Sequence, residues 1–332
     1  MRGKAKMKIL IIGDFHYKKM MYPPTVSDLS YILERGSVAD IIIHTGDFCN
    51  DYLHSPELFR RLFADGRDVF GVFGNHELET CGNAMENVTP LITNAKEKAV
   101  FGTDSGTPDN EKIAYYYHDR DGYRFIFTDT NYSLSPDGEW EHNRTASWGA
   151  PSGNRYTDSL GKVQLEWLKR VIFDAAERGL KCITVSHATF CKTSGNSSPD
   201  AAAVREIFRL ANEKRKGSVI LAINGHYHTV GRREEEGVVY LDCPAAINGW
   251  WVPNKFYPYA EEEGKAPRYT FDYEEYDADG ELLSVRPLPY SALRMGAQTL
   301  FYEKPVYTLL TLEEEGISAD VSPMVWAYGI AP

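Results

Sequence analysis

The feature that most constrains the fold is a series of short apolar runs, separated by segments with apolar residues at helical spacing. The runs of strand length are residues 8–12, 41–43, 69–73, 181–185 and 219–223. The segments with helical spacing are residues 25–35, 56–64, 160–177 and 200–214. Strands that alternate with helices are typical of α/β domains, so this order predicts a largely parallel sheet.

Other parts of the chain are typical of antiparallel hairpins. Residues 113–118 and 123–128 flank an Asp-Arg-Asp-Gly turn, and residues 232–236 and 238–241 form a second pair of short strands. Residues 277–280, Asp-Ala-Asp-Gly, indicate a third turn. Glycine in these turns supplies the positive φ that a tight hairpin needs.

The length of 332 residues suits one large α/β domain or a domain with an appendage. After about residue 250 the composition shifts to Tyr, Pro, Trp and Glu. We therefore predict a core domain over residues 1–250 and a β-rich extension over residues 251–332 that packs on it. Residues 131–160 are rich in Gly, Ser, Pro, Asn and Trp, which predicts a long functional loop such as a lid or a substrate wall.

A polar cluster follows each of the five apolar runs. The clusters are Asp14-Phe15-His16, Gly46-Asp47, Gly74-Asn75-His76-Glu77, His187, and Gly225-His226-Tyr227-His228. In an open α/β sheet, side chains just beyond the carboxyl ends of the strands gather in one crevice. Each cluster alone is a weak signal, since Gly-Asp is common in turns. The full ordered set predicts one site.

The donor types in these clusters fit two metal ions. Carboxylates, imidazoles and one amide oxygen, without a thiolate, suit Mn, Fe, Zn, Ni or Co, and the sequence does not identify the pair. Two cations about 3.5–4 Å apart repel each other. A carboxylate shared between them offsets that repulsion, and Asp47 is the candidate for this bridging role.

The order of these motifs resembles the calcineurin-like metallophosphoesterase superfamily over residues 8–245, and within it the signature of class III cyclic-nucleotide phosphodiesterases. The resemblance implies a four-layer α/β/β/α sandwich of two mixed sheets flanked by helices, with residues 1–250 as the catalytic domain. It implies a first metal ion held by Asp14, His16, Asp47 and His228. It implies a second metal ion held by Asp47, Asn75, His187 and His226.

His76 is left without a metal in this scheme and is the candidate catalytic residue. A hydroxide between the two ions would attack phosphorus, and His76 would protonate the leaving oxygen or donate to a phosphate oxygen. Many relatives carry an aspartate three residues after the bridging aspartate, where it orients the catalytic histidine. Here that position is Asn50, and Asp51 follows it. The orienting partner of His76 is therefore Asp51 or no residue at all.

The charge of the chain narrows the class of substrate. The net charge is −11, with 36 Lys and Arg against 47 Asp and Glu. Such a surface repels polyanions, so long nucleic acid is not an expected partner. We predict a dinuclear metal-dependent hydrolase of small phosphate esters, either a phosphodiesterase or a phosphomonoesterase. The alternative is a catalytically silent scaffold with the same fold, which the intact ligand set and His76 disfavour.

The cellular location of the protein is predicted from its cysteine spacing and from the short apolar run near residue 9. The five cysteines form no pair with the short spacing of a zinc or redox motif, which is typical of reduced thiols in the cytosol. The apolar run at residues 9–12 is too short for the apolar region of a signal peptide. We therefore predict a cytoplasmic protein without a membrane partner. The sequence does not indicate an oligomeric state.

Overall fold

The architecture is known from a computed structural model. It describes residues 7–17, 24–49, 55–79, 99–102, 115–134, 140–142, 158–192, 198–228, 230–246, 248–250, 268–276, 282–291, 299–301, 304–313 and 316–322. Two β-sheets stack face to face, and helices cover both outer faces. The predicted four-layer α/β/β/α sandwich is confirmed.

The first sheet combines three parallel strands from the start of the chain with two strands from its last part. Its strands are β1 (Met7–Ile12), β2 (Ile41–His44), β3 (Asp68–Gly71), β17 (Tyr307–Leu312) and β18 (Ile317–Ser322). Their order across the sheet is β18-β17-β1-β2-β3. β1, β2 and β3 are parallel, whereas β17 is antiparallel to both β1 and β18. The sheet is therefore mixed.

The second sheet is mixed as well. Its strands are β4 (Val100–Phe101), β5 (Tyr116–Arg120), β6 (Tyr123–Phe127), β9 (Lys181–Ser186), β10 (Val219–Asn224), β11 (Gly231–Glu235) and β12 (Val238–Asp242). Their order is β11-β12-β10-β9-β6-β5-β4. β6, β9, β10 and β12 run parallel, and hairpins add the antiparallel strands at both edges. The prediction of a largely parallel sheet holds for β1, β2 and β3 in the first sheet and for β6, β9, β10 and β12 in the second.

The turn between β5 and β6 is shorter than predicted. Only Asp121 and Gly122 lie between the strands, with φ values of 50° and 85°. Positive φ at both central residues is the geometry of a tight two-residue turn, whose twist matches that of the flanking strands. Asp119 and Arg120, which were expected in the turn, are therefore part of β5.

Six further strands form three separate ribbons. They are β7 (Tyr132–Leu134) with β8 (Trp140–His142), β13 (Asn248–Trp250) with β16 (Thr299–Phe301), and β14 (Arg268–Tyr276) with β15 (Leu282–Ser291). The β14–β15 pair confirms the hairpin around residues 277–280, although the turn itself lies outside the described residues. The β7–β8 pair shows that the expectation of residues 131–160 without regular structure was wrong at this point. Strands of three residues are too short to show an alternating pattern.

The helices are α1 (Val26–Arg35), α2 (Pro56–Phe63), α3 (His76–Glu79), α4 (Gly161–Glu177) and α5 (Ala201–Lys214). α1 begins at a capping box, in which Thr25 Oγ1 accepts the Asp28 backbone N–H at 3.1 Å and the Asp28 carboxylate accepts the Thr25 N–H at 2.7 Å. This exchange satisfies two donors that a helix start leaves open. No helix in the described part of the chain is long and apolar enough to span a membrane.

Apolar side chains fill the spaces between the layers. In β1, Leu10 and Ile12 cluster with residues of α1 and α2, whereas Ile9 and Ile11 cluster with residues of the second sheet. This alternation follows from the two-residue period of a strand. The outer face of the second sheet packs on α4 and α5. These three apolar clusters hold the two sheets and the helices together.

The predicted C-terminal extension is rich in β-structure. Two of its strands, β17 and β18, extend the first sheet beside β1. Its other strands, β14, β15 and β16, belong to the ribbons β14–β15 and β13–β16. The domain boundary at residue 250 stays a prediction.

Candidate metal centre

The predicted site residues lie where strands of both sheets end. Asp14 follows β1, Asp47 follows β2 and Asn75 follows β3, all in the first sheet. His187 follows β9 and His226 follows β10, both in the second sheet. The clusters therefore meet at one end of the sandwich, between the two sheets, rather than along the edge of a single sheet.

The loops at these strand ends have an unusual backbone. Five residues other than glycine adopt positive φ there, namely Asp14 (21°), His16 (54°), Asp47 (48°), His226 (72°) and His228 (51°). Such conformations cost on the order of 1–3 kcal/mol each and gather at functional sites, where the surrounding fold enforces them. The same loops approach each other so closely that a Cβ on Gly74 would lie 2.1 Å from Asp47 Oδ1.

One group of ligand atoms is formed by Asp14, His16 and His228. These atoms lie within 4.8 Å of one another, and all three residues are buried. His16 Nε2 is 3.0 Å from His228 Nε2, and His228 Nε2 is 3.7 Å from Asp14 Oδ1. His16 Nε2 also lies 3.8 Å from Asp47 Oδ2.

A second group is formed by Asp47, His187 and His226, again within 4.8 Å. His187 Nε2 lies 3.3 Å from Asp47 Oδ2, 3.0 Å from His226 Nδ1 and 3.2 Å from Asn75 Oδ1. All seven predicted ligands thus come together, and Asp47 Oδ2 reaches both groups. The assignment of each residue to a particular ion stays a prediction.

His76 lies next to the same carboxylate. Its Nε2 is 3.9 Å from Asp47 Oδ2, and its backbone N–H donates to Asp47 Oδ1 at 2.9 Å. His16, Asp47 and His76 form a third group of potential ligand atoms. The His76 side chain is 11% exposed, whereas that of His16 is fully buried. Asn50 and Asp51 lie outside the described residues, so the orienting partner of His76 stays a prediction.

The carboxylates of the site are buried and face histidines. Among the described residues, no lysine or arginine pairs with Asp14 or Asp47. Burial raises the pKa of Asp14 well above its usual value. Burial and the charge of Asp47 raise the pKa of Glu77 to about 7. A site of this kind stabilises a cation.

Protonated histidine supplies the positive charge in the metal-free protein. Burial alone would raise the pKa of Asp47, but the facing histidines, led by His187, hold it well below its usual value. Burial alone would lower the pKa of His187, but Asp47 raises it to about 10. Burial and the His187 charge lower the pKa of His226 to about 3. The donor set therefore fits metal ions, which would take the place of the His187 proton as the partner of Asp47.

Thr45 and Glu77 fix the positions of ligand residues by hydrogen bonds. His187 Nδ1 lies 2.8 Å from the Thr45 carbonyl oxygen, to which it donates, so Nε2 faces the site without a proton when a metal is bound. The Glu77 carboxylate accepts the backbone N–H groups of Asp47, Phe48 and Cys49 at 2.8, 2.7 and 3.2 Å. It also accepts the N–H of Gly74. Glu77, to which the sequence assigned no catalytic step, therefore fastens two ligand loops together.

A polar cluster at the end of β6 was missed by the sequence analysis. Its residues are all fully buried and are Thr128, Asp129, Thr130 and Asn131. Asn131 Nδ2 donates to the Phe73 carbonyl oxygen at 3.3 Å, next to the loop that carries Asn75. β6 is an apolar run that ends in polar residues like the other five, and this pattern was the available signal.

The fold and the clustered ligands define an α/β sandwich with a candidate dinuclear metal centre between its sheets. The family model for calcineurin-like phosphoesterases matches residues 7–230. The chain belongs to this family. Its closer similarity to the class III cyclic-nucleotide phosphodiesterases stays a prediction.

Several solved structures resemble the fold. A dimetal phosphatase from Danio rerio is 18% identical, with a TM-score of 0.54, over 72% of this chain and 87% of that chain. GAP50, the anchor in the inner membrane complex of Plasmodium, is 11% identical, with a TM-score of 0.44, over 96% and 84%. A putative 5'-nucleotidase from Staphylococcus aureus is 14% identical, with a TM-score of 0.44, over 86% and 55%.

At these sequence identities the similarity concerns the fold alone. The two structures with a TM-score of 0.44 support no conclusion about function. A sequence comparison with curated proteins gave no match.

Proposed function

We propose that the protein is a dinuclear metal-dependent hydrolase of small phosphate esters. The observation that carries this proposal is the position of Asp47, whose Oδ2 lies 3.8 Å from His16 Nε2 and 3.3 Å from His187 Nε2. One carboxylate oxygen thus faces one histidine from each ligand group. This is the arrangement that a bridging ligand between two cations requires.

The residues divide into ligands of the ions and one candidate general acid. Asp14, His16, Asp47 and His228 would hold one ion, and Asp47, Asn75, His187 and His226 would hold the other. When bound, such ions lower the pKa of coordinated water and offset charge on phosphate oxygens. The donor set is compatible with Mn, Fe, Zn, Ni or Co.

His76 is the candidate general acid of the reaction. Its ring is the more exposed of the histidines around Asp47 on the first-sheet side, and its backbone is fixed by the hydrogen bond to Asp47. From this position it can donate a proton to the leaving oxygen or a hydrogen bond to a phosphate oxygen. We therefore assign His76 the catalytic role and not a metal.

The net charge of −11 supports small esters over long nucleic acids as substrates, because polyanions are repelled by an acidic surface. Phosphodiesters and phosphomonoesters are both candidate substrates, and the first experiment distinguishes them. We also propose a cytoplasmic location. Four of the five cysteines lie in the described residues, where each is buried and forms no disulfide bond with another described residue.

The first experiment measures hydrolysis of p-nitrophenyl phosphate and bis-p-nitrophenyl phosphate by the purified protein with Mn²⁺ added. An Asp47→Asn variant tests the bridging ligand, and Asp121→Asn is the matched control, since Asp121 lies in an exposed turn. We expect activity in the wild type and the control but not in Asp47→Asn. The ratio of the two activities assigns the ester class. Inactivity with every metal, together with low bound metal, would instead support a scaffold.

A second experiment tests His76. Replacing His76 with Ala should reduce turnover by about 10²–10⁴-fold, because a positioned general acid contributes about that much. Metal content measured by atomic spectroscopy should not change. His118→Ala, in β5 and outside the three ligand groups, serves as the control. Unchanged turnover in the His76 variant would remove the catalytic role.

A further inference from the structure

Asp158 faces the ring nitrogen of His226 that points away from the ligand groups. His226 Nδ1 lies 3.0 Å from His187 Nε2, on the side of the predicted second ion. His226 Nε2 lies 3.5 Å from Asp158 Oδ2, which is within ion-pair distance. The two nitrogens of one imidazole therefore face different partners. This is the pattern of a ligating histidine whose other nitrogen is held by a carboxylate.

The backbone that follows Asp158 is held by hydrogen bonds to two other segments. Ser159 exchanges two backbone hydrogen bonds with Tyr132, at 3.0 and 3.3 Å. The N–H groups of Leu160 and Gly161 donate to Asp200 Oδ2 at 2.8 and 3.1 Å. Asp158 thus sits at the start of a clamped segment that leads into α4. Its carboxylate faces His226 from the first residue of this segment.

His226 and Asp158 are both partly buried, and neighbouring rings contact the His226 ring. The His226 and Asp158 side chains are 21% and 17% exposed, so water screens their interaction only in part. The rings of Tyr227 and His187 bracket the His226 ring edge-on, with centroids at 4.6 and 4.7 Å. The His226 backbone N–H donates to Asp14 at 2.9 Å.

We propose that Asp158 is a positioning residue for the second metal ion. Its carboxylate accepts a hydrogen bond from the Nε2–H of His226, which keeps the proton on Nε2 and leaves Nδ1 unprotonated and directed toward the ion. The negative charge also makes the imidazole a stronger donor to a cation. This inference rests on the proposed function, since it takes His226 as a ligand. It adds a residue that none of the five sequence clusters contains.

The test is a titration of the purified, metal-free full chain with Mn²⁺, in which the number of ions and the affinity of each are measured. The proteins are the wild type, Asp158→Ala, Asp158→Asn and the charge-matched control Asp121→Asn. In Asp158→Ala we expect one of the two ions to bind about 10- to 100-fold more weakly, which is the usual effect of losing such a partner. The other ion should bind as in the wild type.

The isosteric variant separates orientation from charge. The amide oxygen of the Asp158→Asn variant still accepts a hydrogen bond from Nε2–H but carries no charge, so its affinity for the same ion should fall about tenfold. The visible spectrum of the Co²⁺-loaded protein should change in both variants, because the ligand field at one ion changes. A role in folding alone would leave this spectrum as it is in the wild type.

The outcomes are distinguishable from failure of the proposed function. Wild-type protein that binds no metal would overturn the proposed function itself. Two bound ions in the wild type, with unchanged affinities in Asp158→Ala, would overturn the role of Asp158 alone. Urea unfolding of the metal-free proteins checks that the variants fold. If the alanine variant does not fold, wild-type affinities and an unchanged Co²⁺ spectrum in Asp158→Asn overturn the proposal.

Discussion

We expect the acid stability of the fold to depend on one buried histidine. His44 ends β2 and is only 1% exposed. Its ring lies 5.1 Å from that of Phe48 and so close to Gly71 that a Cβ there would lie 1.9 Å from Nε2. Neither ring nitrogen of His44 has a hydrogen-bond partner among the described residues. Burial, with a smaller contribution from the charge of His187, lowers the pKa of His44 from 6.5 to about 3.

The direction of the pH effect follows from this shift. As the pH falls below 6.5, the unfolded chain binds a proton at His44 that the folded protein does not bind. Stability is therefore lost as the pH falls, until the folded protein also takes up the proton near pH 3. The whole shift corresponds to about 5 kcal/mol, at about 1.4 kcal/mol for each pKa unit. Between pH 7.5 and pH 5.0 the loss is about 2 kcal/mol.

The perturbation is His44→Leu, which keeps a similar volume and removes the titrating group. Urea unfolding gives the free energy of unfolding of both proteins at pH 7.5 and pH 5.0, with a chelator present so that metal release does not contribute. Other acid-sensitive groups act on both proteins alike. We expect the wild type to lose about 2 kcal/mol more than the variant between the two pH values. Equal losses in the two proteins would refute the reasoning.

Three further predictions follow from the site. Metal binding at pH 7.5 should release about one proton for His187, whose pKa of about 10 keeps it protonated in the metal-free protein, and calorimetry in buffers of different ionisation enthalpy measures this release. Affinity that does not rise with pH would contradict it. Glu77→Gln should reduce the free energy of unfolding by about 1–3 kcal/mol, because an amide cannot accept all the N–H groups that the carboxylate holds. Urea unfolding tests this, with the exposed Glu206→Gln as the unaffected control. Gly74→Ala should weaken metal binding in the same Mn²⁺ titration, since the new Cβ would displace Asp47, whereas Gly316→Ala, with nothing within 4 Å, should bind normally. Normal binding in Gly74→Ala would show that the loop accommodates the methyl group.

The sequence revealed those parts of the site that repeat a local pattern. Each apolar run that ends in Asp, Asn or His could be recognised because strands and their carboxyl ends are local features. The φ values at Asp14 and Asp47 could not be predicted, because the surrounding loops impose them on residues that do not favour them. Glu77 was recognised as part of a motif, but its three amide contacts depend on a loop some thirty residues away in the chain.

Long-range pairing was also beyond local patterns. The sequence placed β-structure after residue 250 but gave no sign that Tyr307–Leu312 pairs with β1. Asp158 lies in a stretch that was predicted to be a functional loop, yet nothing local to it indicates His226 as its partner. Short ribbons such as β7–β8 were missed because three residues carry too little periodicity. In each case the missing information is the identity of a distant partner.

The pairing of β17 with β1 has a consequence for how the protein is made. In the first sheet, Ile9 lies opposite Leu310, so β1 leaves the ribosome long before the strand with which it pairs. Until then, β1 presents open backbone donors and acceptors beside a highly apolar sequence, which is a template for aggregation. Nascent chains stalled before residue 307 should therefore bind chaperones longer than chains that include β18. Attaching a fusion partner after β18 would leave this order of events unchanged.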